Sequence, residues 1–281
     1  MGGIYMAYKQ LKYLTRQIHS DSKKRRSFVT MLFTIGDLRC WAEEGISIMY
    51  IDENKRQFLR VKFKTSDDVS NLQELSRLVE EAIKSECSAL SDKIGAEKAN
   101  LTQEEKDYLD GWYENEFIQL QEEFPRLQRY ALFTTAMATV EANLVALCNT
   151  LQDIMSLAVV YKKPRNNIVA NSIAYLREHA KVDLTRISYD IEQMDMLKRL
   201  RNCIVHSEGE NTDSKPEEIK AYCDRLPTLS MDKKNRIILL EGFVPIALHL
   251  IRQFFDGLIE KSKIALEAQL MFALIMQIEG E

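Results

Sequence analysis

The sequence is poor in the residues that punctuate a chain, with 10 glycines and 5 prolines among 281 residues. That is too few for the turn-dense sandwiches and barrels. Leu, Ile, Met, Ala, Glu and Lys are plentiful instead, a mixture that favours helices. With 46% hydrophobic residues the chain can build a real core. The expected fold class is all-α, with at most a small β-hairpin.

Glycine-rich phosphate loops are also missing. Neither Gly-x-Gly-x-x-Gly nor Gly-x-x-x-x-Gly-Lys-Ser/Thr occurs, so nucleotide binding through a backbone cradle has no support, and no Gly-x-Ser-x-Gly elbow is present. The four histidines, His19, His179, His206 and His249, stand far apart and in no metal-ligand spacing, so neither a metal nor another cofactor is expected. His179 and His249 fall within apolar patterns and read as core or rim residues; Trp41 and Trp112 read as packing. Five cysteines, Cys40, Cys87, Cys148, Cys203 and Cys223, form an odd set without a Cys-x-x-Cys pair, which suits buried thiols in a reducing compartment. No run approaches the roughly 18–20 uncharged residues of a membrane span. The N-terminus lacks the apolar stretch of a signal peptide, and Met6 breaks the myristoylation pattern. The expected location is cytoplasmic, with no membrane.

The net charge of -4 argues against a dedicated non-specific nucleic-acid binder, but the charge is unevenly spread. Residues 1–64 hold 13 basic and 6 acidic residues, 65–124 hold 5 and 16, and 125–281 hold 20 of each. The expected organisation is an accessory region over 1–124, basic to 64 and acidic helical thereafter, followed by a helical bundle over 125–281. The acidic block reads either as a solvated helical hairpin or as an RNA-mimicking cover or docking surface for the basic segment.

Apolar spacing predicts an amphipathic helix at 4–18. An apolar stretch follows at 28–41, and the runs 46–51 and 58–63 could pair as a hairpin about Asp52–Lys55. A long helix is expected from Asp67 to about Ala99, and Thr102-Gln103-Glu104-Glu105 is a capping-box signature that starts another. Pro125 suits the first turn of a further helix, carrying Glu141 on its inner-looking stripe. Helices at about 168–180 and 189–206, a helix beginning at Pro216, a strand-like Ile237–Leu240 and a long amphipathic helix over about 243–278 complete the pattern.

One stretch stands apart: Leu200-Arg201-Asn202-Cys203-Ile204-Val205-His206-Ser207-Glu208-Gly209, where a cation, an amide and an imidazole close an apolar helix. A plain reading lets Arg201 and Asn202 solvate the helix end while His206 meets the last carbonyls, before Gly209 turns the chain. The pattern Arg, polar residue, three more residues, His also resembles the catalytic motif of HEPN ribonucleases, defined as Arg, four to six residues, His. The spacer here is Asn202-Cys203-Ile204-Val205, and Asn202 supplies the polar residue that the family favours after the Arg. The resemblance covers roughly residues 125–260; residues 1–124 match no family pattern.

What the resemblance implies is chemically consistent. RNA can be cleaved without metal when its 2′-OH attacks the neighbouring phosphate, given proton transfer and charge stabilisation. His206 would move the proton, Arg201 would clasp the phosphorane oxygens and Asn202 would orient the imidazole or the phosphate. On one helix Arg201 and His206 diverge by roughly 140°, so a homodimer with two facing motifs would complete the site, as the family resemblance also implies. Glu141 could pair with Arg201 or another bundle cation. Lys198, Arg199, Lys162, Lys163 and Arg165 could guide RNA, unless these charges are simply solvated. Enzymes of this type act as toxins or anti-phage effectors, restrained by an antitoxin, a sensor protein or, here, the N-terminal region itself. The alternatives are a non-catalytic HEPN-like interaction or dimerisation module and a helical adaptor outside the family.

Overall fold

The computed structural model describes the backbone of residues 48–279 and the side chains of residues 53–272. The helix expected at 4–18 and the apolar stretch 28–41 lie outside the described residues. The contacts described below belong to the compact unit Gln57–Glu281. The fold is mainly helical, as expected, with a single two-stranded antiparallel sheet among the described residues.

The first described element corrects the hairpin expected between 46–51 and 58–63. Helix α1 runs unbroken over Ile48–Lys98. The β-branched and aromatic residues suggested strands, but the packing period is helical. Phe58, Val61, Val69, Leu72 and Val79 reach the main core, and Thr65 is buried between them at the same period. A polar threonine at that position interrupts the apolar stripe that would have betrayed the helix.

Helix α2, Gln103–Ile118, begins as the capping box predicts. Thr102 Oγ1 accepts from the Glu105 N–H, and the Glu105 carboxylate accepts from the Thr102 N–H at 2.8 Å. Together α1 and α2 form a helical hairpin with a small core of Leu90, Ile94 and Tyr113. Tyr113 donates to Glu97 across the pair.

The chain does not stop at Pro125. A π-helical turn, Gln119–Glu123, leads directly into α3, Phe124–Met155. Proline cannot donate and its ring crowds the carbonyl four residues back, here that of Gln121. Widening one turn to π spacing accommodates this without breaking the rod.

Helix α3 is the axis of the bundle, packing against α4 (Ile168–Glu178), α5 (Ser188–Ser207) and α7 (Phe243–Glu279). Phe133, Met137, Leu144, Leu147 and Leu151 are fully buried along it. By length and composition alone, the rod Gln103–Met155 contains a window apolar enough to cross a membrane. Glu141 is the one charge between Arg129 and Asp153, so the expectation of no such run holds only for a strictly uncharged one. In this fold 44% of that window is buried inside the protein. Arg129 of α3 forks Glu80 of α1 at 2.7 and 2.8 Å, and the buried Asn143 bonds Asp68 and Lys64.

After α5 comes α6, Pro216–Arg225, started by proline as expected. Strands β1 (Leu229–Met231) and β2 (Ile237–Leu239) then pair antiparallel. The hairpin turn is held by Asp232 Oδ1, which accepts from the N–H groups of Lys234 and Arg236.

Candidate active site

Helix α5 buries Met194, Leu197, Leu200, Cys203 and Ile204 on one stripe, the 3.6-residue pattern of a helix laid on a core. Lys198, Asn202 and His206 fall successively one turn apart away from it. Arg201 lies at the stripe's edge and is half-buried, as is Asn202, whereas His206 is exposed.

The helix ends at Ser207 through a left-handed Glu208 at φ 51° and Gly209 at φ 91°. The N–H groups of Glu208 and Gly209 both reach the Cys203 carbonyl, which satisfies an orphaned acceptor in the manner of a glycine C-cap. The Gly209 carbonyl then accepts from Ile237 at 2.8 Å, and the Asn211 N–H donates to Asn235 at 3.0 Å. The exit from the motif is thus tied to the chain entering β2 by an isolated antiparallel bridge, Glu210 opposite Arg236. Tyr130 of α3 donates to the Ile237 carbonyl, and a Cβ on Gly209 would lie 2.5 Å from its hydroxyl. Gly209 is therefore required twice, by its backbone conformation and by the close approach of Tyr130. Neither Tyr130 nor Asp213, described next, was read from the sequence as part of this region. Both lie too far along the chain from their partners for local periodicity to signal them.

Two arginines two residues apart are treated differently. Arg199 forks Asp213 at 2.7 and 3.1 Å and bonds Glu218 at 2.7 Å and the Lys215 carbonyl at 3.2 Å. Its hydrogen bonds hold the Asp213 carboxyl below the usual carboxylate range. Arg201 makes one bond, from Nη1 to Asn202 Oδ1 at 3.1 Å. Its Nε is buried without a partner, and among the described residues it has no ion pair. Nη2 makes no hydrogen bond among the described residues. Arg252 of α7 has a similarly orphaned Nε, but its Nη2 is spent on Ser70 and Gln73.

Of the remaining sequence-selected residues, Glu141 is half-buried on α3 and pairs with no cation within 4 Å among the described residues, so the Glu141–Arg201 pair is not formed. Lys198 is tied to Asp195 at 3.1 Å and Arg199 to Asp213 and Glu218. Lys162, Lys163 and Arg165 are exposed in the loop between α3 and α4 and form no ion pair within 4 Å among the described residues. Inside the motif, burial pushes the Cys203 thiol up, so it is no nucleophile at neutral pH. Cys148 is pushed up to about 12 and Cys223 to about 11 for the same reason. Among the described residues no three metal-ligating side chains converge.

Within one chain, then, the motif supplies an exposed imidazole and a guanidinium edge on diverging faces. It forms a chemically equipped surface and not an enclosed pocket. Compared with known proteins, the chain matches no family model, no curated protein and no solved structure.

Proposed function

We propose that the protein is a metal-independent endoribonuclease of the HEPN type, active as a homodimer and serving as a toxin or anti-phage effector in the cytoplasm. The observation that carries this reading is Arg201. A buried, unpaired guanidinium donor costs about 1–3 kcal/mol, and its neighbour Arg199 demonstrates that carboxylates are within reach of this part of the fold. A cation kept unanswered beside an exposed imidazole is suited to meet an anion that arrives from outside, such as a phosphate in RNA.

In this mechanism His206 takes the 2′-OH proton as the oxygen attacks phosphorus. Arg201 Nη2 and Nη1 stabilise the charge on the phosphorane, and Asn202 orients the Arg201 fork through its Oδ1. The leaving 5′-oxygen takes a proton from water, the imidazolium returns its own proton to the hydroxide so formed, and the product is a 2′,3′-cyclic phosphate. Because Arg201 and His206 diverge on one helix, the partner chain completes each site. Lys162, Lys163 and Arg165 are better suited to guide RNA than Lys198 and Arg199, whose charges are answered by Asp195 and by Asp213 with Glu218. An antitoxin or sensor protein would restrain such an enzyme.

The test is cleavage of labelled RNA by the purified chain in the presence of a chelator, with end-group analysis of the product. Loss of cleavage in both Arg201→Ala and His206→Ala is the expected result. A second reading, a non-catalytic HEPN-like dimerisation module, draws on the lack of a hydrogen bond to His206 among the described residues. In that case expression is harmless to growth and neither substitution changes this.

A further inference from the structure

The stretch 156–187, which joins α3 to α5 through α4, holds six cations (Lys162, Lys163, Arg165, Arg177, Lys181, Arg186) against two carboxylates, Glu178 and Asp183. All six cations are exposed. Elsewhere exposed cations are commonly answered in place, Arg77 by Glu74 and Glu81, Lys84 by Glu241, Lys215 by Glu218. None of the six has an ion pair within 4 Å among the described residues.

Beside the first three lies a shallow pocket of about 230 Å³ between the loop and one face of α4, lined by Lys162, Asn171, Ala174, Tyr175, Glu178 and His179 among others. Its walls are fixed. The Tyr161 N–H donates to Gln152 at 2.6 Å, the Tyr161 and Ser172 hydroxyls share a 2.7 Å bond, and Tyr175 donates to the Val159 carbonyl at 2.8 Å. The Tyr175 ring packs against Tyr161 at 5.0 Å and against His179 at 5.2 Å. Asn171 Nδ2 is spent on the carbonyls of Asn166 and Asn167, which leaves its Oδ1 as an acceptor. Glu178 is a second acceptor, without an ion-pair partner among the described residues.

Two acceptors and a rim of uncompensated cations, beside aromatic rings tilted at 64° and 51° to one another, match a base that carries an amino group, linked to phosphate. We infer that this pocket holds one amino-bearing nucleobase of single-stranded RNA, whose phosphates run over Lys162, Lys163 and Arg165. Naming the polymer as RNA rests on the ribonuclease reading; the pocket and the ridge do not. The groove is a holding subsite apart from Arg201 and His206 in sequence and needs neither of them.

The experiment measures fluorescence anisotropy of labelled single-stranded oligo-A, oligo-C and oligo-U and of an RNA duplex. The full chain carries His206→Ala so that no RNA is consumed, and salt is varied. Oligo-A and oligo-C should bind about fivefold more tightly than oligo-U, which lacks the exocyclic amine. Adding K162E, K163E and R165E together should weaken all three by about tenfold or more and flatten the salt dependence, by about 0.7 in logarithmic slope per lost phosphate contact. Ala174→Phe, which fills the pocket, should weaken oligo-A about fivefold or more with the slope unchanged. Glu178→Ala, at an exposed position, should remove the preference for oligo-A over oligo-U. Binding unchanged within about twofold in the charge-reversed protein, or a base preference indifferent to Glu178→Ala, overturns the inference. Cleavage by the chain with His206 intact separates the two claims. Binding effects without cleavage sink the ribonuclease and leave the subsite standing, whereas cleavage without the binding effects does the reverse.

Discussion

The two sides of the last turns of α5 differ in how fully their polar groups are answered. On one side Arg199 spends its guanidinium on two carboxylates and a carbonyl, and the chain beyond the helix is closed by Gly209, Tyr130 and β2. On the other, Arg201 has a single bond to its own neighbour, and His206 stands exposed. The first side holds α5 to the fold; the second contributes little to stability and is available for chemistry. If this division is right, substitutions on the two sides should separate stability from activity almost completely.

The largest effects belong to the open side. Arg201→Ala and His206→Ala should each lower RNA cleavage by about 10²–10⁴-fold, measured as initial rates on a labelled RNA, with melting temperatures within a few degrees of the parent. A large fall in melting temperature would place these residues with Arg199 and erase the comparison.

On the closed side, Gly209→Ala introduces a side chain at a φ of 91° and against the Tyr130 hydroxyl. It should destabilise by about 3 kcal/mol, combining backbone strain with overpacking. Arg199→Ala leaves the half-buried Asp213 with the Lys215 N–H alone and should cost about 2 kcal/mol, the range for hydrogen bonds to a charged group. In both variants the specific activity of the folded fraction should survive, as denaturation curves paired with cleavage assays would reveal.

The Asp213 contribution also has a direction in pH. Its carboxyl is held below the ordinary range chiefly by hydrogen bonds from Arg199. The stabilisation is therefore complete above the ordinary carboxylate pKa near 4 and is lost as pH falls below it. The gap in melting temperature between the parent and Asp213→Asn should narrow as pH drops through about 4. A gap that widens there would reverse the assignment. Smallest and most local, Thr102→Ala removes the α2 cap and should cost about 1 kcal/mol, with no change in cleavage.

Much of the helical frame was legible because its punctuation is local. Thr102 with Glu105, Pro216 and the apolar periods of α4, α5 and α7 each announce their element within a few residues. The misreading at 46–63 arose where a polar residue, Thr65, stands in a buried stripe and where aromatic and β-branched residues mimic a strand. Pro125 signalled a helix start but not the π turn that lets the rod continue, since that outcome depends on the helix already present upstream. Only Ile237–Leu239 of the sheet could be anticipated, because Leu229–Met231 is too short to carry a period. At the site, the motif residues were named from the sequence, whereas their inequality was not. That Arg199 is neutralised and Arg201 is left open depends on Asp213, 14 residues further on, and on Glu218.

The central claim is that Arg201 of one chain and His206 of the other complete a single site, and it is tested most directly by mixing inactive variants. Arg201→Ala and His206→Ala chains, combined and allowed to exchange subunits, form mixed dimers in which one of the two sites is intact. Cleavage should return to about a quarter of the parent's, since about half the dimers are mixed and each has one working site. Verified mixed dimers that remain as inactive as either variant alone would contradict the account.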